Sequence, residues 1–312
     1  MTTSPLGVAT VAPAGYAPDP LAVERGIARL EAGGCLVHNY YDHQAIHQRF
    51  GGTDEARLAQ LYAAADDPDV QLVMAVRGGY GLTRLMPHID FERLAASGKL
   101  FVGYSDITAL HMGLMAKTGA LSYAGPFLID FGAPEPVDFT LDNFWQCLAG
   151  PTHTIGEAAS GNPCVNVAGT IWGGNLALLT SLVGTEWFPR IAGGPLDGGI
   201  LFVEDIAEHP YRIERMLLQL MQAGVLERQQ ALVLGDFSGY RLGPMDNGYD
   251  FDAMVAYLRA TLPIPVLTGL SFGHVPRRVT IPFGAQARLA STEAGFTLSL
   301  SDYPTLRARP LP

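Results

Sequence analysis

A serine stands where an apolar segment ends and a helical pattern begins. Residues 100–104 are typical of a buried strand, Ser105 follows them, and apolar residues then recur at helical spacing. At a sharp strand-to-helix turn, a serine hydroxyl is exposed while the next backbone N–H groups face an incoming negatively charged oxygen. Ser105 is therefore a candidate nucleophile. The alternative is an ordinary helix N-cap, for which Ser is a preferred residue and Asp106 a suitable first-turn neighbour.

A carboxylate and an imidazole end two later strand-like segments, and they favour the nucleophile over the cap. Glu204 closes the apolar residues 200–203, and His274 comes shortly after residues 264–270. In acyl transfer a histidine takes the proton of the serine, and a carboxylate holds that histidine in the right tautomer. Glu204 and His274 are the candidates for these roles. Helix capping is the alternative for Glu204, and His209 is the rival histidine, although its place before a proline suits a helix start.

A glycine-rich segment follows the third predicted strand. The sequence Arg77-Gly78-Gly79-Tyr80-Gly81 comes directly after residues 71–76. Glycines allow a backbone to approach a ligand closely and to direct N–H groups toward it. The segment is not the G-x-G-x-x-G of a dinucleotide site, which would follow the first strand. Its place on the strand before that of Ser105 predicts an oxyanion loop, and a simple tight turn is the alternative.

Alternating strand and helix patterns must position these groups. The predicted strands of the first half are residues 7–13, 35–40, 71–76 and 100–104, and the predicted helices begin at Pro20, Thr53, Ile107 and Val137. Such alternation is typical of a parallel α/β sheet that is covered on both faces. In these sheets the binding residues gather at the carboxyl ends of the strands.

The composition changes after residue 150. Residues 151–166 are rich in Gly, Pro, Thr and Ser, which predicts an interdomain linker. Residues 1–150 then form an α/β domain that carries the nucleophile, and residues 167–312 form a mixed, β-rich domain that carries Glu204 and His274. In this second domain the predicted helices are residues 174–183 and 210–221, and the predicted strands are residues 200–204, 231–236, 264–270, 278–282, 287–290 and 296–301.

The composition also excludes several classes of function. The 312 residues are 48% hydrophobic and 16% charged, as in a globular protein large enough for two cores. A formal net charge of −10 without a basic stripe argues against a nucleic-acid partner. Cys35, Cys147 and Cys164 have neither metal nor disulfide spacing, and we predict no metal or other cofactor. Without a signal-type segment or a run of 18 apolar residues, a cytoplasmic protein with no membrane partner is expected.

Several short motifs occur together in a fixed order. They are Gly51-Gly52-Thr53-Asp54-Glu55, Arg77-Gly78-Gly79-Tyr80-Gly81, Gly103-Tyr104-Ser105-Asp106-Ile107-Thr108-Ala109, Trp172-Gly173-Gly174-Asn175-Leu176, Glu204-Asp205, Arg215-Met216-Leu217 and Gly273-His274. In this order they resemble the LD-carboxypeptidases, serine peptidases that act on murein tetrapeptides, over about residues 7–300. Residues 204–210 are most similar to the cytoplasmic murein-recycling branch. The chain departs from the α/β-hydrolases, because Ile107 stands where G-x-S-x-G needs glycine.

The resemblance implies a triad in which Ser105 attacks the carbonyl, His274 acts as general base and then acid, and Glu204 orients His274. It also implies an oxyanion hole built from the backbone amides of Asp106 and Gly79. The family's architecture is a Rossmann-like N-terminal domain with a C-terminal β-rich domain, and a homodimer is expected. The implied substrate is a murein tetrapeptide, free or linked to a sugar nucleotide, cleaved between the L-centre of meso-diaminopimelate and the terminal D-alanine.

Such a substrate has a free carboxylate, which an arginine or a backbone nest must bind. Arg77, Arg84 and Arg277 are candidates, although Arg77 equally suits a brace for the glycine segment. Tyr80 is a further candidate for substrate contact, and Trp172 either lines the cleft or is a core aromatic at a helix start. Two other functions stay open: hydrolysis of peptide–nucleotide antibiotics by a related peptidase, and peptide binding without catalysis.

Overall fold

The computed structural model describes residues 5–306, which form two sheets. The strands of the first sheet are β1 (Leu6–Val11), β2 (Cys35–Asn39), β3 (Val70–Ala75), β4 (Leu100–Gly103), β5 (Ser122–Ala124) and β11 (Ile281–Phe283). Their order is β11-β5-β4-β3-β1-β2, with all neighbours parallel except β11 and β5. The order reverses between β1 and β3, so the loops after these strands open a crevice at the carboxyl edge.

Helices pack against both sheets. Within the described residues they are α1 (Pro20–Ala32), α2 (Asp54–Asp66), α3 (Leu82–Leu85), α4 (Phe91–Ala96), α5 (Thr108–Thr118), α6 (Leu128–Phe131), α7 (Asp138–Ala149), α8 (Leu176–Leu182), α9 (Pro210–Gln222) and α10 (Phe251–Thr261). The first begins as the sequence predicts, because the Asp19 side chain accepts a hydrogen bond from the Leu21 amide and a proline occupies the first turn. In the part of the chain described, no helix has the length and apolar character needed to span a bilayer.

The second sheet mixes parallel and antiparallel strands. Its strands are β6 (Thr152–Glu157), β7 (Asn166–Asn175), β8 (Ile200–Glu204), β9 (Ala231–Leu234), β10 (Val266–Thr268), β12 (Gln286–Thr292) and β13 (Gly295–Ser301), in the order β10-β9-β8-β7-β12-β13-β6. The four strands from β7 to β10 are parallel, and the other three are antiparallel. The predicted fold class, a parallel α/β sheet followed by a mixed β-rich part, is confirmed.

Two segments differ from the prediction. Residues 151–166, predicted as a linker, contain β6, which pairs with β13 at the edge of the second sheet. Side chains alternate there between exposed and buried, with His153 and Ile155 pointing inward, and the Gly and Thr content concealed this period-2 pattern. Residues 278–282 were expected within the C-terminal domain, whereas β11 joins the first sheet beside β5. A short apolar strand carries no local signal for its partner, so tertiary packing decides it.

The two halves of the chain meet where β7 ends and α5 begins. The backbone N–H of Asn175 donates to Oγ1 of Thr108 at 3.1 Å. Gly174 has a φ of +131°, and a Cβ placed there would lie 2.5 Å from the same Thr108 oxygen. A side chain at position 174 would therefore separate the helix that follows Ser105 from the sheet that carries Glu204.

Candidate active site

Ser105 occupies a strained turn at the end of β4. It begins a single 3₁₀ turn, Ser105–Ile107, that leads directly into α5. Its φ of +56° lies in the left-handed region, which costs a non-glycine residue about 1–2 kcal/mol. The serine is 9% exposed, so it is largely enclosed but reachable. This is the strand-to-helix geometry that the sequence predicted for a nucleophile.

The three predicted catalytic side chains lie in one hydrogen-bonded chain. His274 Nε2 is 3.1 Å from Ser105 Oγ, and His274 Nδ1 is 2.7 Å from Glu204 Oε2. A carboxylate only accepts, so Nδ1 carries the ring proton and Nε2 accepts from the serine hydroxyl. The tertiary structure therefore brings together residues that are 169 and 70 positions apart. The arrangement can take the proton of Ser105 and stabilise the imidazolium that results.

Asn175, which sequence analysis missed as a site residue, holds the carboxylate from the other side. It pairs with Glu204 across the parallel strands β7 and β8. Its Nδ2 lies 3.3 Å from Glu204 Oε1 and 2.9 Å from Asp205 Oδ1. The fully buried Glu204 therefore receives hydrogen bonds on both of its oxygens. The available signal was that Asn175 follows two glycines at a strand end, next to the strand of Glu204.

Asp205, the neighbour of Glu204, is a second buried carboxyl. It accepts hydrogen bonds from the amides of Ala177 and Ile206 as well as from Asn175. Burial raises the pKa of Asp205 from 3.8 to about 6, and the nearby charge of Glu204 adds to this shift. Since the folded state binds the proton more tightly than the unfolded chain, the contribution of Asp205 to stability falls as the pH rises from about 4 to about 6.

We expect Asp205→Asn to gain stability relative to the wild type as the pH rises. The gain should be about 2 kcal/mol in the free energy of unfolding between pH ~4 and pH ~7, because the variant has no carboxyl to ionise. Denaturant unfolding of both proteins at several pH values measures the difference, in which the titration of groups remote from Asp205 cancels. A difference that does not change with pH would contradict the raised pKa.

The glycine segment lies directly against Ser105. A Cβ built on Gly78 would lie 3.0 Å from Ser105 Oγ, so only glycine leaves the hydroxyl free. The Gly78 carbonyl accepts from the amide of Gly15 at 2.9 Å, and Asp106 Oδ2 accepts from the amide of Leu82 at 2.8 Å. The first bond ties the segment to the loop after β1, and the second ties the residue that follows the segment to the neighbour of Ser105. Burial also raises the pKa of Asp106 to about 6.

The predicted substrate-binding residues lie in different surroundings. Arg77 donates to the carbonyl of Tyr16 at 3.0 Å, which braces the loop after β1. Tyr80 is 45% exposed at the glycine segment, where it is available to a ligand. Arg84 pairs with Asp54, in the first turn of α2. Arg277 stacks on the ring of a phenylalanine of α7.

Trp172 lies in the core and not in the cleft. It is fully buried, and its indole N–H donates to Gln229 Oε1 at 2.8 Å. Its ring packs edge-on against Phe188 at 6.0 Å. The substrate-binding prediction for Trp172 is therefore replaced by its alternative, a core aromatic. The reason is that Trp172 precedes the end of β7 by three residues, and its side chain points into the packed interior.

We expect Trp172→Phe to lower the free energy of unfolding by about 2–3 kcal/mol. The change leaves a cavity and removes the hydrogen bond to Gln229, while no surface that faces substrate is altered. Urea unfolding and steady-state kinetics with the same preparation test this together. An increased KM at unchanged stability would restore Trp172 to the cleft.

The other histidine considered has a structural function. His209 is the N-cap of α9, where its Nδ1 accepts from the amide of Tyr211, and its Nε2 lies 3.1 Å from Asp246 Oδ1.

An open cleft of about 420 Å³ lies beside His274. Its lining includes Tyr104, Asp130, Val137, Ile206 and Arg278. Of these, Tyr104 and Arg278 are further residues whose place at the site the sequence did not reveal.

Comparison with known proteins gives matches along nearly the whole chain. A family model described as the LD-carboxypeptidase N-terminal domain matches residues 8–125, and its C-terminal counterpart matches residues 168–289. The crystal structure of a muramoyltetrapeptide carboxypeptidase from Oxalobacter formigenes is 49% identical, with a TM-score of 0.90. That match covers 96% of this chain and 100% of the other.

Two sequence relatives extend the comparison. A probable murein peptide carboxypeptidase of Bacillus subtilis is 31% identical over 294 residues, which is 92% of this chain and 89% of the relative. The microcin C7 self-immunity protein MccF of Escherichia coli is 31% identical over 270 residues, which is 75% of each chain.

Proposed function

This chain belongs to the LD-carboxypeptidase family and is a serine-type carboxypeptidase, and we propose that it releases the terminal D-alanine from murein tetrapeptides. The observation that carries the proposal is the hydrogen-bonded chain Ser105–His274–Glu204. The bond cleaved joins the L-centre of meso-diaminopimelate to D-alanine. We further propose that the enzyme serves peptidoglycan recycling as a cytoplasmic homodimer, on free or sugar-nucleotide-linked peptides.

The first half-reaction forms an acyl-enzyme. Ser105 Oγ passes its proton to Nε2 of His274 and bonds to the carbonyl carbon of the scissile peptide. The carbonyl oxygen takes the negative charge, and the backbone amides of Asp106 and Gly79 stabilise it, each by about 3–4 kcal/mol. His274 then gives its proton to the nitrogen of D-alanine as the carbon–nitrogen bond breaks.

The second half-reaction restores the serine. With D-alanine gone, His274 takes a proton from a water molecule, whose oxygen attacks the ester carbon. The proton returns to Ser105 Oγ as the ester bond breaks, and the shortened peptide leaves. Throughout, the buried charge of Glu204 keeps the proton of His274 on Nδ1 and stabilises the imidazolium.

The substrate proposal is tested by chromatographic measurement of D-alanine release. A murein tetrapeptide and the matching pentapeptide, which ends in D-Ala-D-Ala, are compared as substrates. We expect release from the tetrapeptide alone, because the bond cleaved follows an L-centre. Release from the pentapeptide as well would contradict LD specificity.

The two alternative functions are outcomes of the same experiment. Cleavage of a nucleotide-linked peptide, with no release from either murein peptide, would replace the proposal with antibiotic hydrolysis. If no substrate turns over and a fluorophosphonate does not label Ser105, a peptide-binding protein without catalysis is the remaining interpretation.

A further inference from the structure

One buried arginine connects the nucleophile turn to the loop that carries the base. Arg278 is 2% exposed. Its Nε donates to the carbonyl of Gly273 at 2.7 Å, and its Nη2 donates to the carbonyl of Val275 and the hydroxyl of Tyr104, both at 2.9 Å. Its Nη1 donates to Asp130 Oδ2 at 2.8 Å. The guanidinium therefore bonds to four residues on three separate segments of the chain.

These contacts flank the reacting groups directly. Gly273 and Val275 are the residues before and after His274, and Tyr104 is the residue before Ser105. The Tyr104 ring also packs edge-on against the imidazole of His274, with 5.1 Å between centroids. Because consecutive Cα atoms are only about 3.8 Å apart, a shift of any of these contacts moves Ser105 or His274 itself.

The charge of Arg278 is compensated within the protein. Asp130, on α6, forms an ion pair with it and also accepts from the amide of Phe127 at 2.7 Å. The guanidinium carbon lies 3.8 Å from the centroid of the Tyr104 ring, and the Phe127 ring stacks on the same ring with 4.1 Å between centroids. Only a planar fork can stack on a ring and reach acceptors along several directions, so lysine cannot replace arginine here.

We propose that Arg278 is a positioning residue that sets the distance and the angle between Ser105 Oγ and His274 Nε2. The inference rests on the proposed function, since it concerns the same nucleophile and base. The backbone of this segment has its own support, because the Arg278 amide donates to Thr140 Oγ1 at 2.8 Å. The side chain can therefore be changed while the chain path around it is retained.

The test compares Arg278→Lys with Arg259→Lys. Arg259, on α10, also uses its guanidinium to join three segments, with bonds to the carbonyls of Val266 and Gly161 and to Asn162 Oδ1. None of these partners belongs to the catalytic chain. Each variant thus loses a guanidinium fork: the buried one of Arg278 beside the reacting groups, or the exposed one of Arg259, whose partners lie outside the catalytic chain.

The measurements are kcat and KM for the tetrapeptide and the rate at which a fluorophosphonate labels Ser105. For Arg278→Lys we expect kcat and the labelling rate to fall about 100-fold, with KM within about threefold, because a misplacement of about 1 Å costs that much. Arg259→Lys should keep both rates within about twofold. Tyr104→Phe is the second variant, for use if Arg278→Lys does not fold. It removes one hydrogen bond from the fork, and we expect kcat and the labelling rate to fall about tenfold.

The outcomes separate this inference from the proposed function. If Arg278→Lys or Tyr104→Phe is labelled as fast as the wild-type protein, the positioning role is overturned and Ser105 remains the nucleophile. Equal losses in Arg278→Lys and Arg259→Lys would also overturn it, because the effect would then be one of general stability. Wild-type protein that is not labelled at Ser105 would reject the proposed function, and the positioning role with it.

Discussion

Ser105→Ala should reduce kcat for D-alanine release about 10⁵–10⁶-fold. The variant lacks the oxygen that bonds to the carbonyl carbon, so only binding and the oxyanion hole accelerate attack by water. KM should change little, because the hydroxyl contributes almost nothing to substrate binding. Single-turnover measurement of D-alanine release, with protein in excess, detects the residual rate.

The strained backbone at Ser105 allows a second measurement, which compares the stability of two inactive variants. We expect Ser105→Gly to be as inactive as Ser105→Ala but more stable than it by up to about 1 kcal/mol, since glycine adopts the φ of +56° without strain. Ser181→Ala is the matched control, because Ser181 lies exposed on α8 and should be replaceable without loss of activity. Substantial turnover by Ser105→Ala would remove the nucleophile from the mechanism.

Glu204→Gln should lower kcat about 10⁴-fold with KM nearly unchanged. The amide carries no negative charge to stabilise the imidazolium, and an NH₂ group turned toward His274 would impose the wrong tautomer. The site has no room for compensation by water, because Glu204 is fully buried and its second oxygen faces Asn175. Steady-state kinetics and far-UV circular dichroism on the same sample separate this loss from misfolding.

The control for this variant is one residue away. Asp205→Asn also removes a buried carboxylate, but Asp205 contacts Asn175 and backbone amides instead of His274. We expect its fall in kcat to be at least 100-fold smaller than that of Glu204→Gln. Comparable falls in kcat for the two variants would show that catalysis depends on the negative charge of the region. A specific contact between Glu204 and His274 would then not explain the loss.

Much of the site was predictable because each candidate follows its own apolar strand. Ser105, Glu204 and His274 all stand at or just beyond such segments, and the carboxyl ends of parallel strands face one edge of a sheet. The glycine segment was predictable for the same reason. The strand at residues 152–157 was not predictable, because its Thr and Gly content is typical of loops. The alternation of buried and exposed side chains along it is too short to outweigh that content.

The residues that were missed act through partners far away in the chain. Asn175 contacts Glu204 only because β7 and β8 are paired in register. Arg278 bonds to the hydroxyl of Tyr104, which is 174 positions away. A polar residue near a strand end has many possible partners, and nothing local selects among them.

The amino-acid chain alone was enough to predict the α/β class, the strands that end in reactive side chains and the three catalytic candidates. These follow from periodicity, strand ends and residue chemistry, all of which are local. Three facts became visible only in the folded protein: Ser105 Oγ and His274 Nε2 lie 3.1 Å apart, Trp172 is enclosed in the core, and β11 joins the first sheet. The physical reason is that such contacts depend on how two sheets dock, and docking is decided by packing and hydrogen bonds summed over the whole interface.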